Sequence, residues 1–289
     1  MGAGAAGRDV ERIALLRDAL ESSNLDGLIC ALPSNVLLLS GYWPVVGTSV
    51  ALLGPDDTVV VVAPRDEYDF AEAGWANEII ALENGGLDSL ETAADALREP
   101  LLDAIVHAGL RTRRVGIESG LRFEPFSYVG TYRYGSALRH LLRDEDVATS
   151  SADDLLARLR ARLTARERAA AAAACRIAQR AFTSAAPQLR AALTETESAS
   201  LFRSPLSDVA GESSIQRADG FAFCMSGANS ARAYGAYARS TSKRLRGGEL
   251  VLVHCNSYAD GYWTDITRTY CLGQPNERQR SMYEAVLAS

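Results

Sequence analysis

The chain has 289 residues, a formal net charge of −6, 47% hydrophobic and 23% charged residues, which is the balance of a two-domain globular protein with sizeable cores. The acidic charge argues against nucleic-acid binding, and no run reaches the ~18 consecutive apolar residues that a membrane span requires. Five cysteines, at 30, 175, 224, 255 and 271, show no C-x-x-C spacing and exclude a disulfide framework; Cys30 and Cys175 read as small buried residues.

The first ten residues are small and polar without a hydrophobic core, so no secretory signal is present and a cytoplasmic location is expected. Gly2, Gly4 and Gly7 match a dinucleotide-loop spacing, but no strand precedes them, which leaves a flexible leader. Residues 8–23 place Val10, Ile13, Leu16 and Leu20 at helical spacing and predict an amphipathic helix. Residues 27–32 form an apolar strand and 35–39 a short apolar segment; 48–53 and 58–63 are strands joined by the turn Gly54-Pro55-Asp56-Asp57. Residues 66–76 and 89–107 read as helices, the second broken or kinked at Pro100, and 115–118 as another strand. This alternation predicts a layered α/β domain.

A helix over residues 151–162, with Ser151 as N-cap and Asp153 and Asp154 in its first turn, bridges the domains. The boundary is placed near Ser150, giving domains 1–150 and 151–289. Arginines cluster over residues 158–168 among acidic residues, as on a solvated helix face. Thr164 and Glu167 match a capping box for a helix through the alanines 169–174 toward Phe182, and Thr194 and Glu197 match another that starts a helix near Ser198.

Residues 249–273 carry the densest chemistry. Leu250 and the residues after it form an apolar strand, Asp260-Gly261 is a tight hairpin turn, and residues 262–270 alternate β-branched or aromatic with polar residues. With Asp260 and Gly261 as the loop, Asn256 falls opposite Asp265 and His254 opposite Thr267, so His254, Asn256, Asp265, Thr267 and Thr269 share one sheet face. Cys255 points to the other. Tyr258, Tyr262 and Trp263 cluster at the turn, as an oligomer contact or as packing within the domain.

The hairpin resembles that of the aminopeptidase P, prolidase and creatinase family, whose peptidases share a strand ending in Asp-x-Gly, a Gly-Tyr turn and Asp-Ile-Thr-Arg-Thr. Asp265, Gly261-Tyr262 and Thr267-Arg268-Thr269 match, but eleven residues before Asp265 stands His254, and the Asp-x-Gly is here His254-Cys255-Asn256. Upstream, Ser226-Gly227-Ala228-Asn229 resembles the family's Ser-Gly-x-Asn, while the substrate-contacting His that follows it is replaced by Tyr234 or Tyr237, depending on the count. Asp26 to Ile29 and Asn35 to Tyr42 resemble the family's N-terminal domain, and Thr194-Glu195 stands at its Thr-Glu helix start.

The resemblance implies an α/β (α+β) chain, a creatinase/prolidase-like N-terminal α/β domain followed by the first half of a pita-bread catalytic domain. The family's remaining ligands, one His and two Glu, lie after a long helix that residues 277–288 would begin, so the chain is expected to be an incomplete copy and inactive alone. The implied activity is Xaa-Pro aminopeptidase-like hydrolysis before proline by metal-activated water. The implied metal is Mn, Co or Zn, with Asp265 and His254 as ligands and Tyr234 and Tyr237 as substrate contacts. An imidazole in place of a carboxylate removes a bridging mode and shifts preference toward Zn, Fe or Co. His254 is alternatively a catalytic proton carrier in a metal-free, creatinase-like amidinohydrolase, and a third reading is a non-catalytic peptide-binding module. Arg268 is expected to order neighbouring carboxylates, and the partners implied are a peptide or small amide substrate and a second copy in a homodimer.

Overall fold

Runs of Val, Leu and Ile without polar alternation suit strands buried on both faces, and the N-terminal half uses them that way. The computed structural model describes residues 7–83, 92–118, 134–212, 215–235 and 240–289, so Gly2 and Gly4 lie outside the described residues. The chain divides into two units, Met1–Arg166 and Glu167–Ser289.

The first unit contains α1 (Val10–Ser23), β1 (Gly27–Cys30), α2 (Pro33–Ser40), β2 (Val50–Leu53), β3 (Val59–Pro64), α3 (Tyr68–Glu72), β4 (Glu78–Leu82), α4 (Ala93–His107), β5 (Val115–Ile117), α5 (Tyr134–Asp144), β6 (Thr149–Ser151) and α6 (Asp153–Arg160). Among the described residues the strands form one sheet in the order β4-β3-β2-β1-β5-β6, with β2 antiparallel to its neighbours and the other pairs parallel. Leu28, Cys30 and Val61 face a layer of α1, α2 and α6, whereas Ile29, Leu52 and Val60 face α4 and α5. The period-two alternation of each strand thus feeds two cores.

Several elements differ from the sequence expectation. The apolar segment 35–39 is part of α2, because Pro33 at the first helical position is pre-set for a helix and Gly41 closes it at φ 72°. Ser151 ends β6 and the N-cap position is taken by Ala152, one residue on, yet the Ser151 hydroxyl accepts from the N–H of Asp153 (3.4 Å), where α6 begins. The helix expected over 66–76 is a short 3-10 turn followed by α3. Helix α4 runs through Pro100 unbroken, starting at the Thr92 cap.

Two buried polar groups tie this unit together. The fully buried guanidinium of Arg12 on α1 donates to the carbonyls of Leu159 (3.0 Å) and Arg162 (2.7 Å), capping the C-terminal end of α6. The Glu118 carboxylate, just past β5, accepts from the backbone N–H of Ala31, from that of Leu32 (2.6 Å) and from the Asn35 amide at the start of α2. Burial pushes its carboxyl above the ordinary range, although those bonds pull the other way.

The second unit comprises α7 (Ala165–Ala185, its first residues in the preceding unit), α8 (Glu195–Ser207), β7 (Ala218–Ser226), β8 (Leu250–Ala259), β9 (Tyr262–Cys271) and α9 (Glu277–Leu287). Strands β7-β8-β9 form an antiparallel sheet in which β9 is an outer strand. Ala174, Ile177 and Ala181 of α7, with Phe202 and Leu206 of α8, cover the face that carries Val251, Val253 and Cys255. Alanine lets the helix approach the sheet closely, but Cys175 is exposed rather than buried, because its neighbour Ala174 takes the inward position. On α9, Met282, Tyr283, Val286 and Leu287 form an exposed apolar stripe, each 57% or more accessible.

Replacing Glu118 by Ala strands the two buried N–H groups of Ala31 and Leu32 and is expected to destabilise the first unit by about 2–5 kcal/mol in a urea titration. A loss below about 0.5 kcal/mol would show that water or another group replaces the carboxylate.

Candidate functional site

The β8-β9 hairpin closes at Asp260 (φ 47°) and Gly261 (φ 87°), the two left-handed positions of a type I′ turn. The Asp260 carboxylate accepts from the backbone N–H of Arg217 (2.8 Å) and Gln216 (3.1 Å), tying the turn to the start of β7. The register is the one that a two-residue turn dictates: Ala259 pairs with Tyr262, Asn256 with Asp265 and His254 with Thr267.

The face turned away from α7 and α8 carries the polar cluster. The Asn256 amide Nδ2 donates to His254 Nε2 at 2.9 Å, which places the proton of a neutral ring on Nδ1, 2.9 Å from Thr267 Oγ1 and 3.5 Å from Asp265 Oδ1. The Asp265 side chain is 62% accessible, that of His254 only 19%. The side chains of Cys255 and Cys224 lie on the opposite, buried face, and burial pushes each thiol up to about 12, which removes both as nucleophiles near neutrality.

Beside the polar groups runs a row of aromatic rings, in which Tyr258 and Trp263 of the expected turn cluster are joined by Phe221 and Phe223, which the sequence reading did not single out. Register puts Phe221 in line with Asn256 and Asp265, and Phe223 in line with His254 and Thr267. The Phe223 ring lies nearly parallel to the His254 imidazole, with planes 7° apart and centroids 5.9 Å apart, and Phe221 and Tyr258 lie 6.3 and 4.8 Å from Trp263. The signal was the alternation Phe221-Ala222-Phe223 in the strand before Ser226.

Of the other sequence-predicted residues, Tyr234 lies in a 3-10 stretch, Gly227–Gly235, and Tyr237 lies outside the described residues. Arg268 donates to the Thr267 carbonyl (2.9 Å) and forms no ion pair among the described residues, contrary to expectation, because its strand position points it away from Asp265. Asp265 and His254 are brought together; no group of three or more His, Cys, Asp or Glu that could hold a metal lies among the described residues.

A second polar cluster, also unforeseen, surrounds Glu195 at the first position of α8. Thr194 and Glu197 form the expected capping box. The fully buried Glu195 carboxylate accepts from the Ser226 N–H (2.7 Å) and hydroxyl (2.9 Å), from the Asn229 amide (2.8 Å), and from the Thr241 N–H (3.0 Å) and hydroxyl (2.7 Å). Burial alone would raise this carboxyl, but the bonds from Thr241 and Ser226 together hold it below the ordinary glutamate range.

Comparison with known proteins follows the same division. Residues 12–162, more than half of the chain, match the Creatinase/Prolidase N-terminal domain, and residues 169–289 match Metallopeptidase family M24. The Xaa-Pro dipeptidase of Pyrococcus furiosus is 26% identical over 280 residues, covering 96% of this chain and 69% of that protein. The prolidase structure from Pyrococcus horikoshii superposes with a TM-score of 0.67 at 21% identity, covering 96% of this chain and 70% of that one. An X-Pro aminopeptidase from Thermotoga maritima gives 0.70 at 18% identity, covering 98% and 70%. These structural likenesses speak for the fold.

Because Glu195 titrates lower in the folded chain than in the unfolded one, its contribution to stability is present above the unfolded value and is lost as pH falls through the folded value. The stability difference between wild type and Glu195→Gln, measured by denaturant titration, should therefore shrink from neutral pH into acid. A difference that stays constant over that range would show that Glu195 does not titrate as its bonds require.

Proposed function

The chain belongs to the aminopeptidase P, prolidase and creatinase family, and on that premise we propose that it binds peptides at an Xaa-Pro sequence and serves hydrolysis of the bond before proline, as an Xaa-Pro aminopeptidase-like metallopeptidase. The observation that carries this reading is the two-part face of the β7-β8-β9 sheet. An exposed carboxylate, Asp265, and an oriented imidazole, His254, sit beside the rings of Phe221, Phe223 and Trp263. Polar groups suit the peptide amide and a charged terminus; aromatic faces suit a proline ring, which is apolar and has no N–H to satisfy once acylated. Asp265 and His254 are the residues we assign to the reacting end, and Tyr234 and Tyr237 to substrate contact.

Metallopeptidases of this family use divalent metal ions. The donors among the described residues do not suffice for one: Asp265 and His254 make two, against about four for zinc, and His254 Nε2 is already occupied by the Asn256 amide. Metal binding by this protein therefore needs donors beyond this pair, and no hydrolytic step follows from these residues alone. The protein's own contribution is to orient. Asn256 and Thr267 fix the imidazole from both sides, and Asp265 stays hydrated and open to a ligand. The same shortage of donors favours, as a second reading, a peptide-binding module without turnover.

The 289-residue chain is expected to bind Leu-Pro without releasing proline. Proline release that disappears in Asp265→Ala would overturn this, and chelator-sensitive release would establish the metallopeptidase reading directly. Trp263→Ala, at a side chain exposed enough to spare folding, should weaken Leu-Pro binding by about 3–10-fold and leave unfolding unchanged. Equal affinity in calorimetry would take the aromatic row out of the site.

A further inference from the structure

The Ser226-Gly227-Ala228-Asn229 turn is gripped from two sides. On one side, Glu195 accepts from both donors of Ser226 and from the Asn229 amide, while its second oxygen also holds Thr241. On the other, Lys243 Nζ donates to Ser226 Oγ (2.6 Å) and to Glu249 Oε2 (2.7 Å). Gly227 passes between them at φ 52°, a conformation that favours glycine, and an added Cβ would lie 2.6 Å from Glu249 Oε1 and push that carboxylate aside. Thr241 is within reach because residues 241–245 run beside 192–196 through backbone bonds, including Glu195 N–H to Lys243 O (3.0 Å) and Leu245 N–H to Leu193 O (2.8 Å). The 3-10 stretch Gly227–Gly235 starts from this grip and carries Tyr234.

We propose that Glu195 is a positioning residue, which touches no substrate but sets the path of the Gly227–Gly235 stretch and, through it, the affinity of the site for an Xaa-Pro peptide. The affinity part rests on the Xaa-Pro reading above. Among the described residues, every group that hydrogen-bonds the two carboxylate oxygens is a donor, five in all. A glutamine amide in the same place would turn its NH2 group against either the Ser226 N–H or the Thr241 N–H, neither of which can reverse its role. Only an anion satisfies all of them, and charge-assisted bonds of this kind are about twice as strong as neutral ones. The requirement explains why a glutamate, rather than an uncharged residue, stands at a buried helix start.

The test uses the full 289-residue chain, with hydrogen exchange as a readout of the turn and calorimetry with Leu-Pro as a readout of recognition. Glu195→Gln should speed exchange over residues 227–235 about tenfold, leave the β8-β9 hairpin protected and weaken Leu-Pro about tenfold, which corresponds to roughly 1.4 kcal/mol. Asn229→Ala, which removes one donor, should act in the same direction by about threefold, so the proposal stays open to refutation if the Gln variant fails to fold; Thr241→Ser, which keeps the hydroxyl, should match wild type. Unchanged exchange in Asn229→Ala and in a folded Gln variant overturns the positioning role. Faster exchange with unchanged Leu-Pro affinity overturns the link to recognition. Faster exchange in variants of a wild type that ignores Leu-Pro also overturns that link, and identifies the Xaa-Pro reading as the part that failed.

Discussion

The second unit depends on a turn of two residues. Asp260 and Gly261 both take positive φ, and the Asp260 carboxylate pins them to the backbone before β7, so the offset between β8 and β9 has no freedom. A strand's side chains alternate between faces, and a slip of one residue in β9 would carry Asp265 and Thr267 to the side occupied by α7 and α8. It would also bring Ile266 and Arg268 out beside His254. Strand β7 inherits the same register through its pairing with β8, which is how Phe221 and Phe223 come to flank the polar groups. One turn thus decides the composition of a whole surface.

That surface differs from a metal-ready carboxylate pair in charge and in saturation. His254 has both ring nitrogens engaged, one by the Asn256 amide and one facing the Thr267 hydroxyl, and it lies along the Phe223 ring. Asn256 stands where the family motif has glycine, and its amide is the partner of the imidazole. The pair puts an internally bonded imidazole and amide where the motif has a carboxylate, and leaves Asp265 as an exposed carboxylate on this part of the face. Orientation of an imidazole by a neighbour is what a second-sphere group does in a working site, yet here the neighbour occupies the nitrogen itself.

What could be read from the sequence was what local rules control. The hairpin register followed from Asp-Gly, the start of α8 from Thr194 and Glu197, and the two-sided burial of β2 and β3 from their uninterrupted valines and leucines. What could not be read was set by partners distant in the chain. Glu118 and Glu195 look like surface glutamates in any window, and only the meeting of Glu118 with residues 31–35, or of Glu195 with 226–241, makes them buried hubs. The misjudged burial of Cys175 has a different origin: an unbroken alanine run has no hydrophobic phase, so nothing marks which side of α7 faces the sheet. Helix α2 was obscured because residues 36–39 are an unbroken apolar run, and a short buried helix shares that pattern with a strand.

The two units also face synthesis on the ribosome differently. In the first, helices cover both faces of the sheet, and its hydrophobic clusters are complete by Leu159, so it can close before the later strands are made. The second brings forward β9, ten residues without proline whose outer edge has no strand neighbour among the described residues, and then α9 with Met282, Tyr283, Val286 and Leu287 exposed. A bare strand edge followed by an apolar stripe is what holdase chaperones grip and what nascent chains use to pair with one another. Of the two units, the second is therefore the more open to such pairing while it is being made.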